Sequence, residues 1–317
     1  MNKEQKGFLW LMSVMLLMGL MGQYFGFFEL SERYHEFADE RGIFGLSRFM
    51  DTFSNVAFLY VGFIFIKEIL LQDKRDKNLI LVAMGTFLVC FGSGYYHLSP
   101  DNHRLLWDRL PMAMVFSGIL MYSVQSVNLV NEKYKKHWTI GYFIFSIISV
   151  LIWYIGSLQN ESWLGLYVVV QFGGMLGLTY VALFGKNKDM TQRIIGVLIW
   201  YIGAKLCEHY DQVIFEITRE FISGHTIKHL LSAVALYSWF PKELKGKVIT
   251  RRTLKLNMSP NLFAKNLKLY YKHQKGKIMI QENEKSKAIC HICEKMVTTT
   301  FKVRDIKTSS GNKVVKD

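Results

Sequence analysis

The chain has 317 residues, half of them hydrophobic and 15% aromatic, with four cysteines and a formal net charge of +14. From Pro241 onward 19 Lys and Arg face 6 Asp and Glu, so residues 1–240 are close to neutral, and the basic charge sits on an appendage; this excludes a basic nucleic-acid-binding enzyme. Four scattered cysteines exclude a disulfide-stapled secreted domain, and the mean hydropathy of +0.15 averages two unlike parts.

A membrane-spanning helix needs about 20 largely apolar residues. Eight stretches qualify: Gly7–Phe28, Phe53–Leu71, Leu79–Tyr96, Leu110–Val130, Trp138–Ser157, Trp163–Phe184, Ile194–Phe215 and the shorter Thr226–Phe240. A soluble protein with buried helices also contains such segments, but eight of them joined by short loops predict an all-α, polytopic membrane helix bundle. Lys3 and Lys6 precede the first stretch as they would in a signal peptide. Its apolar run exceeds the usual h-region of about 7–15 residues and no small-x-small cleavage site follows, so it is read as a retained anchor. The expected organisation is an N-terminal anchor over residues 1–29, a seven-span core over residues 30–240, and a basic tail over residues 241–317.

Lys and Arg in the short loops set the orientation. Lys3 and Lys6, then Lys74, Arg75 and Lys77, then Lys133, Lys135 and Lys136, then Lys186, Lys188 and Arg193, and finally the tail all fall on one side. The opposite loops are acidic or neutral: residues 29–51 carry 3 Arg against 6 acidic groups, and residues 158–162 carry no basic residue. Both termini are therefore expected in the cytoplasm.

Ionisable groups at membrane depth are costly and mark functional sites. Here they gather near the non-cytoplasmic face. The third stretch ends Phe91-Gly-Ser-Gly-Tyr-Tyr-His97, and the fourth opens after Asp101-Asn-His-Arg-Leu-Leu-Trp-Asp108-Arg109. The seventh carries Lys205, Glu208, His209 and Asp211 toward its outer end, and the eighth opens Ser223-Gly-His225-Thr-Ile-Lys-His229. His225 and His229 are four apart, hence on one helical face and able to share a metal; hydrogen bonding to neighbouring helices is the plainer alternative for the pair alone. His97 adds a third histidine at the same depth, with Ser93 one turn before it, and three imidazoles plus water form a known catalytic zinc site. The pair lacks the Glu of His-Glu-x-x-His, so a base must come from elsewhere, and Asp108 is placed to supply it. Lys205, Glu208 and Asp211 read either as a network orienting the histidines or as part of an ion pathway.

At these residues the chain resembles the alkaline ceramidase family, within the superfamily of seven-span hydrolase-like proteins that includes the adiponectin and progestin receptors. The matching elements are Ser93-x-x-x-His97, Asp108 eleven residues on, and His225-x-x-x-His229. The bacterial membrane branch is closer still, through Tyr34-His-Glu-Phe-Ala-Asp39-Glu-Arg41, Ser54-Asn55, the run from Tyr96 to Pro111, and the Ser-Gly-His-Thr-x-Lys-His segment. The resemblance covers roughly residues 30–240. It implies zinc held by His97, His225 and His229, Asp108 orienting and deprotonating the water, Ser93 stabilising the oxyanion, and a bacterial inner-membrane location. Eukaryotic members also hold calcium with acidic residues before the first core helix, the region of Asp39 and Glu40; Arg48 stands where an acidic ligand aligns. The implied activity is zinc-dependent hydrolysis of a ceramide-like lipid amide. A zinc hydrolase of another acylated lipid, and a receptor-like or scaffold protein with a structural zinc, are the alternatives.

In the tail, Lys242 to Lys255 reads as a topology-setting flank or a surface for anionic lipid headgroups. Cys290-His-Ile-Cys293 resembles half of a zinc ribbon, without a second Cys-x-x-Cys after it. The loop charges make a direct prediction: in intact cells, an impermeant thiol reagent labels a cysteine at Asn102 and not one at Lys77. The reverse pattern would turn the site toward the cytoplasm.

Overall fold

The computed structural model describes residues 1–28, 30 and 32–241 and, in the tail, residues 286–289, 296–299, 306–307 and 313–314. The chain divides into two compact units, Met1–Arg252 and Thr253–Asp317.

The first unit is helical. Its elements are α1 (Lys3–Tyr24), α2 (Phe49–Phe53), α3 (Val56–Leu70), α4 (Lys77–Leu98), α5 (Asn102–Ser126), α6 (Lys135–Leu158), α7 (Gly165–Val168), α8 (Gly174–Phe184), α9 (Lys188–His209), α10 (Asp211–Ile217) and α11 (Gly224–Trp239). Val169–Gly173 joins α7 to α8 as a π-helical turn, and α2 runs on into α3, so every expected apolar stretch is helical. Five segments are long and apolar enough to cross a membrane: Lys3–Tyr24, Phe49–Leu70, Lys77–Leu98, Glu132–Leu158 and Gly165–Phe184. The other three columns fall short for identifiable reasons. The first two turns of α5 are Asn-His-Arg-Leu-Leu-Trp-Asp-Arg, α9 carries charges at both ends, and α11 has only 16 residues. Along α6 the side chains of Ile140, Ile144, Ile148, Leu151 and Ile155 form an exposed apolar stripe, as a lipid-facing helix requires.

The expected N-terminal anchor docks on the bundle. Gln23, in the last turn of α1, accepts from Gly165 N–H at 2.8 Å and donates to the Ser162 carbonyl at 2.8 Å. In the second unit, β1 (Ser286–Ile289) pairs antiparallel with β2 (Met296–Thr299), and β3 (Ile306–Lys307) with β4 (Lys313–Val314). Residues 242–255 and the Cys290–Cys293 motif lie outside the described residues.

Proline and glycine set the approach of α4 to α5. Pro111 has no N–H, so the carbonyl four residues earlier, at Trp107, loses its helical donor. That carbonyl lies directly over Gly92, where any Cβ would overlap it. The contact sets α4 at Gly92, next to Ser93, against the backbone of Asp108 on α5. Gly92→Ala should therefore force the helices apart, with a stability loss of about 1–3 kcal/mol from overpacking. Gly94→Ala, where an added Cβ meets nothing within 4 Å, should be benign by comparison. Thermal unfolding in detergent compares the two, and equal melting temperatures would contradict this packing.

Candidate metal centre and cavity

Three buried histidines converge where α4 ends and α11 begins. One ring nitrogen from each of His97, His225 and His229 lies within 4.8 Å of the others. Among the described residues this is the one group of His, Cys, Asp or Glu side chains close enough to share an ion. His225 and His229 come together because they are one turn apart on α11, with ring centroids 4.8 Å apart. His97 Nε2 faces His225 Nε2 at 3.2 Å.

The donor set fits zinc. Zn–N bonds of about 2.0–2.1 Å in tetrahedral geometry place two nitrogens roughly 3.3 Å apart, close to the His97–His225 spacing. A tautomer argument points the same way. Ser54 Oγ donates to the Asp51 carbonyl at 3.0 Å, so at 2.7 Å from His229 Nδ1 it accepts from that nitrogen and leaves Nε2 with a free lone pair. Lys228 Nζ lies 2.7 Å from His225 Nε2, so that nitrogen carries no proton and its lone pair accepts from the ammonium, a bond that a metal at this nitrogen would replace. His97 is held by packing: the edge of Phe37 sits against its ring at 4.7 Å between centroids, and its Nδ1 is buried with no hydrogen-bond partner.

The start of α11 is fixed by two carboxylates. Asp211 Oδ1 accepts from His225 N–H at 2.7 Å, while Oδ2 accepts from Ala38 N–H at 2.9 Å. Asp51 Oδ1 accepts from Ser223 Oγ at 2.9 Å and Thr226 Oγ1 at 2.6 Å, and Ser223 in turn caps α11 by accepting from Thr226 N–H. Glu208 is shared between Lys205 at 2.6 Å and Lys228 at 3.1 Å. Lys205, Glu208 and Asp211, chosen from sequence, thus all reach the histidines, Asp211 directly and the other two through Lys228. Beside His97, Tyr96 Oη lies 2.9 Å from His35 Nδ1, and His35 Nε2 donates to Asn102 Oδ1 at 3.1 Å. Burial lowers the His35 pKa, which keeps this ring neutral in that bridge.

Asp39 and Glu40 do not form a calcium cradle. Asp39 takes two hydrogen bonds from Arg41, at 2.8 and 2.6 Å, and exposed Glu40 pairs with Arg48 at 2.9 Å. Calcium binding by six to eight oxygens has no counterpart among the described residues here.

Beside the histidines lies a cavity of about 280 Å3. Ser93, Asp108, Arg109, Tyr201, Lys205, Glu208, Lys228 and His229 are among its polar lining residues. Val115, Phe116, Ile119, Phe172, Met175, Leu178 and Leu236 are among the apolar residues lining the rest. Asp108 is half-buried, and Ser93 lines the same cavity. The π-helical turn turns Gln171 toward α9, where its amide donates to Tyr201 Oη at 2.7 Å. Sequence reasoning missed Ser54, Asp51 and Lys228 as supports of the histidines. The Ser-Asn pair and the Lys within the last motif were visible, but their partners lie far away along the chain.

The sequence pattern of the Ceramidase family matches residues 46–243. That is more than half of the chain and includes all three histidines, Ser93 and Asp108, and the chain belongs to this family. No curated protein and no solved structure matches it.

Ser54→Ala removes the partner that fixes His229. The affinity of the three histidines for a metal ion such as zinc should fall by about 10–100-fold, with little change in the fold. Competition with a chromogenic chelator measures this, and an unchanged affinity would show that Ser54 does not orient the ligand.

Proposed function

From membership of the Ceramidase family we propose that this protein is a zinc-dependent intramembrane hydrolase that cleaves the amide bond of an N-acylated lipid, ceramide-like in its linkage. All eight helical columns would cross the membrane, with both termini cytoplasmic and the site toward the opposite face. The carrying observation is that one cavity is lined by His229 of the histidine cluster, by the Asp108 carboxylate and by many apolar side chains suited to an acyl chain.

His97, His225 and His229 would hold the zinc. Bound by three imidazoles, zinc lowers the pKa of a water to about 7 and polarises a carbonyl. The remaining work falls to the chain's own residues. The apolar side chains bind the acyl chain and exclude bulk water, so that the scissile amide lies among the polar ones. Asp108 takes a proton from the attacking water and returns it to the leaving nitrogen, giving a fatty acid and a free amine. Ser93, in the same cavity lining, donates its hydroxyl proton to the developing oxyanion. Asp211 and Asp51 hold the backbone and cap that carry His225 and His229. Lys205 and Glu208 position Lys228 beside His225.

Metal content measured together with turnover tests this reading. The purified protein should contain about one zinc per membrane unit, and His225→Ala should lose zinc and activity together. Asp108→Asn should keep the zinc and lose hydrolysis by ~100-fold or more, because general acid–base catalysis is worth about that much. Full activity in Asp108→Asn would refute the mechanism, and zinc without hydrolysis across a panel of N-acylated lipids would refute the enzyme.

A further inference from the structure

We propose that the lipid cleaved here carries an anionic group on its amine portion and that Arg109 receives that group; the proposal rests on the lipid-amidase reading above. Arg109 follows Asp108 on α5, is only 4% exposed and lines the same cavity. Its guanidinium is stacked over the Trp153 ring at 3.9 Å, with Tyr167 at 5.0 Å and Tyr34 at 5.5 Å. These rings pack around the guanidinium, and Nη1 is buried with no hydrogen-bond partner. Among the described residues no carboxylate stands within ion-pair distance of it.

The other cations of the cavity are already engaged. Glu208 is clasped by Lys205 and Lys228. The cavity lining holds three cations and two carboxylates, and of the three cations only Arg109 has no carboxylate within ion-pair distance among the described residues. A buried, unpaired cation is costly to maintain, and stacking satisfies only its faces. A guanidinium edge is shaped for two parallel hydrogen bonds to a carboxylate or a phosphate. The acyl half of such a lipid is hydrocarbon, so the anion that meets Arg109 belongs to the amine half of the scissile bond. A neutral head would leave Arg109 without an ion-pair partner.

The test uses the full-length, zinc-loaded protein in detergent and three lipids with one acyl chain: N-oleoylglycine, N-oleoyl-O-phosphoethanolamine and neutral N-oleoylethanolamine. Hydrolysis is followed by released amine, and binding by thermal stabilisation. The wild type should favour an acidic lipid in both readouts; whichever of the two arms is preferred identifies the anion as carboxylate or phosphate. Arg109→Gln should lower the acidic-to-neutral ratio of kcat/KM by roughly 10–100-fold at unchanged zinc content, and Arg109→Lys should restore part of it. Equal losses on all three lipids would make Arg109 a structural cation in an aromatic box and overturn the proposal. So would a wild-type preference for the neutral lipid, a result that needs no variant. Acid-selective binding lost in Arg109→Gln, with no hydrolysis of any lipid, would instead keep the anion site and refute the amidase.

Discussion

Polar groups placed inside an apolar helix bundle must find partners within the protein, because the lipid around it offers none. In this protein that requirement positions the site. The partners of each buried polar group come from other helices, so satisfying them fixes how the helices stand. Asp51 from α2 binds the cap of α11 through Ser223 and Thr226, and Asp211 binds the His225 N–H from the start of α10. The first turn of a helix carries unpaired N–H groups and the positive end of its dipole, so two carboxylates there are favourable on both counts. The location of His225 and His229 follows from these two anchors as much as from any property of α11 itself.

The same requirement explains why the helices that build the site are the least apolar. α5 begins two turns before its apolar run, because Asp101 caps it by accepting from Arg104 N–H at 2.7 Å. Those added turns carry Asp108 and Arg109. In α9 the C-terminal end carries Lys205 and Glu208. α11 is short because it starts inside the protein at the Ser223 cap, where Gly224 lets the chain pass close to the Cys207 carbonyl. Hydropathy weakens where chemistry is concentrated, so the count of strongly apolar helices is lower than the count of helical columns.

Much of this was legible in the sequence, for a physical reason. Apolar runs are imposed by lipid over a fixed thickness, and they located every helical column. Costly ionisable residues cannot be scattered at membrane depth, and they located His97, Asp108, His225 and His229 before any contact was known. The boundaries were less legible, since Leu110 marks the start of hydropathy while Asn102 marks the start of α5, and capping by Asp101 decides between them. Long-range partners were not legible at all. Ser54 and His229 are 175 residues apart, and nothing local in either segment announces the pairing. Lys228 was read within a motif, yet its role depends on Glu208 of a different helix.

The groups left unsatisfied complete the argument. Some lie elsewhere in the bundle, such as Ser123, Tyr142 and Trp239, but Asp51 Oδ2, Asn55 Oδ1, His97 Nδ1 and Arg109 Nη1 are all in or against the site. A sequence selected for stability alone would replace such groups with apolar side chains, since an unpaired buried polar atom costs about 1–3 kcal/mol and a charge more. Of these, Arg109 lines the cavity itself, and an unpaired donor there has a consistent meaning if something polar enters that cavity. The apolar lining accounts for a hydrocarbon chain, the histidines for a metal, and Asp108 with Ser93 for proton transfer. Arg109 is explained by none of these, and so it is the side chain in the cavity that carries information about the rest of the substrate.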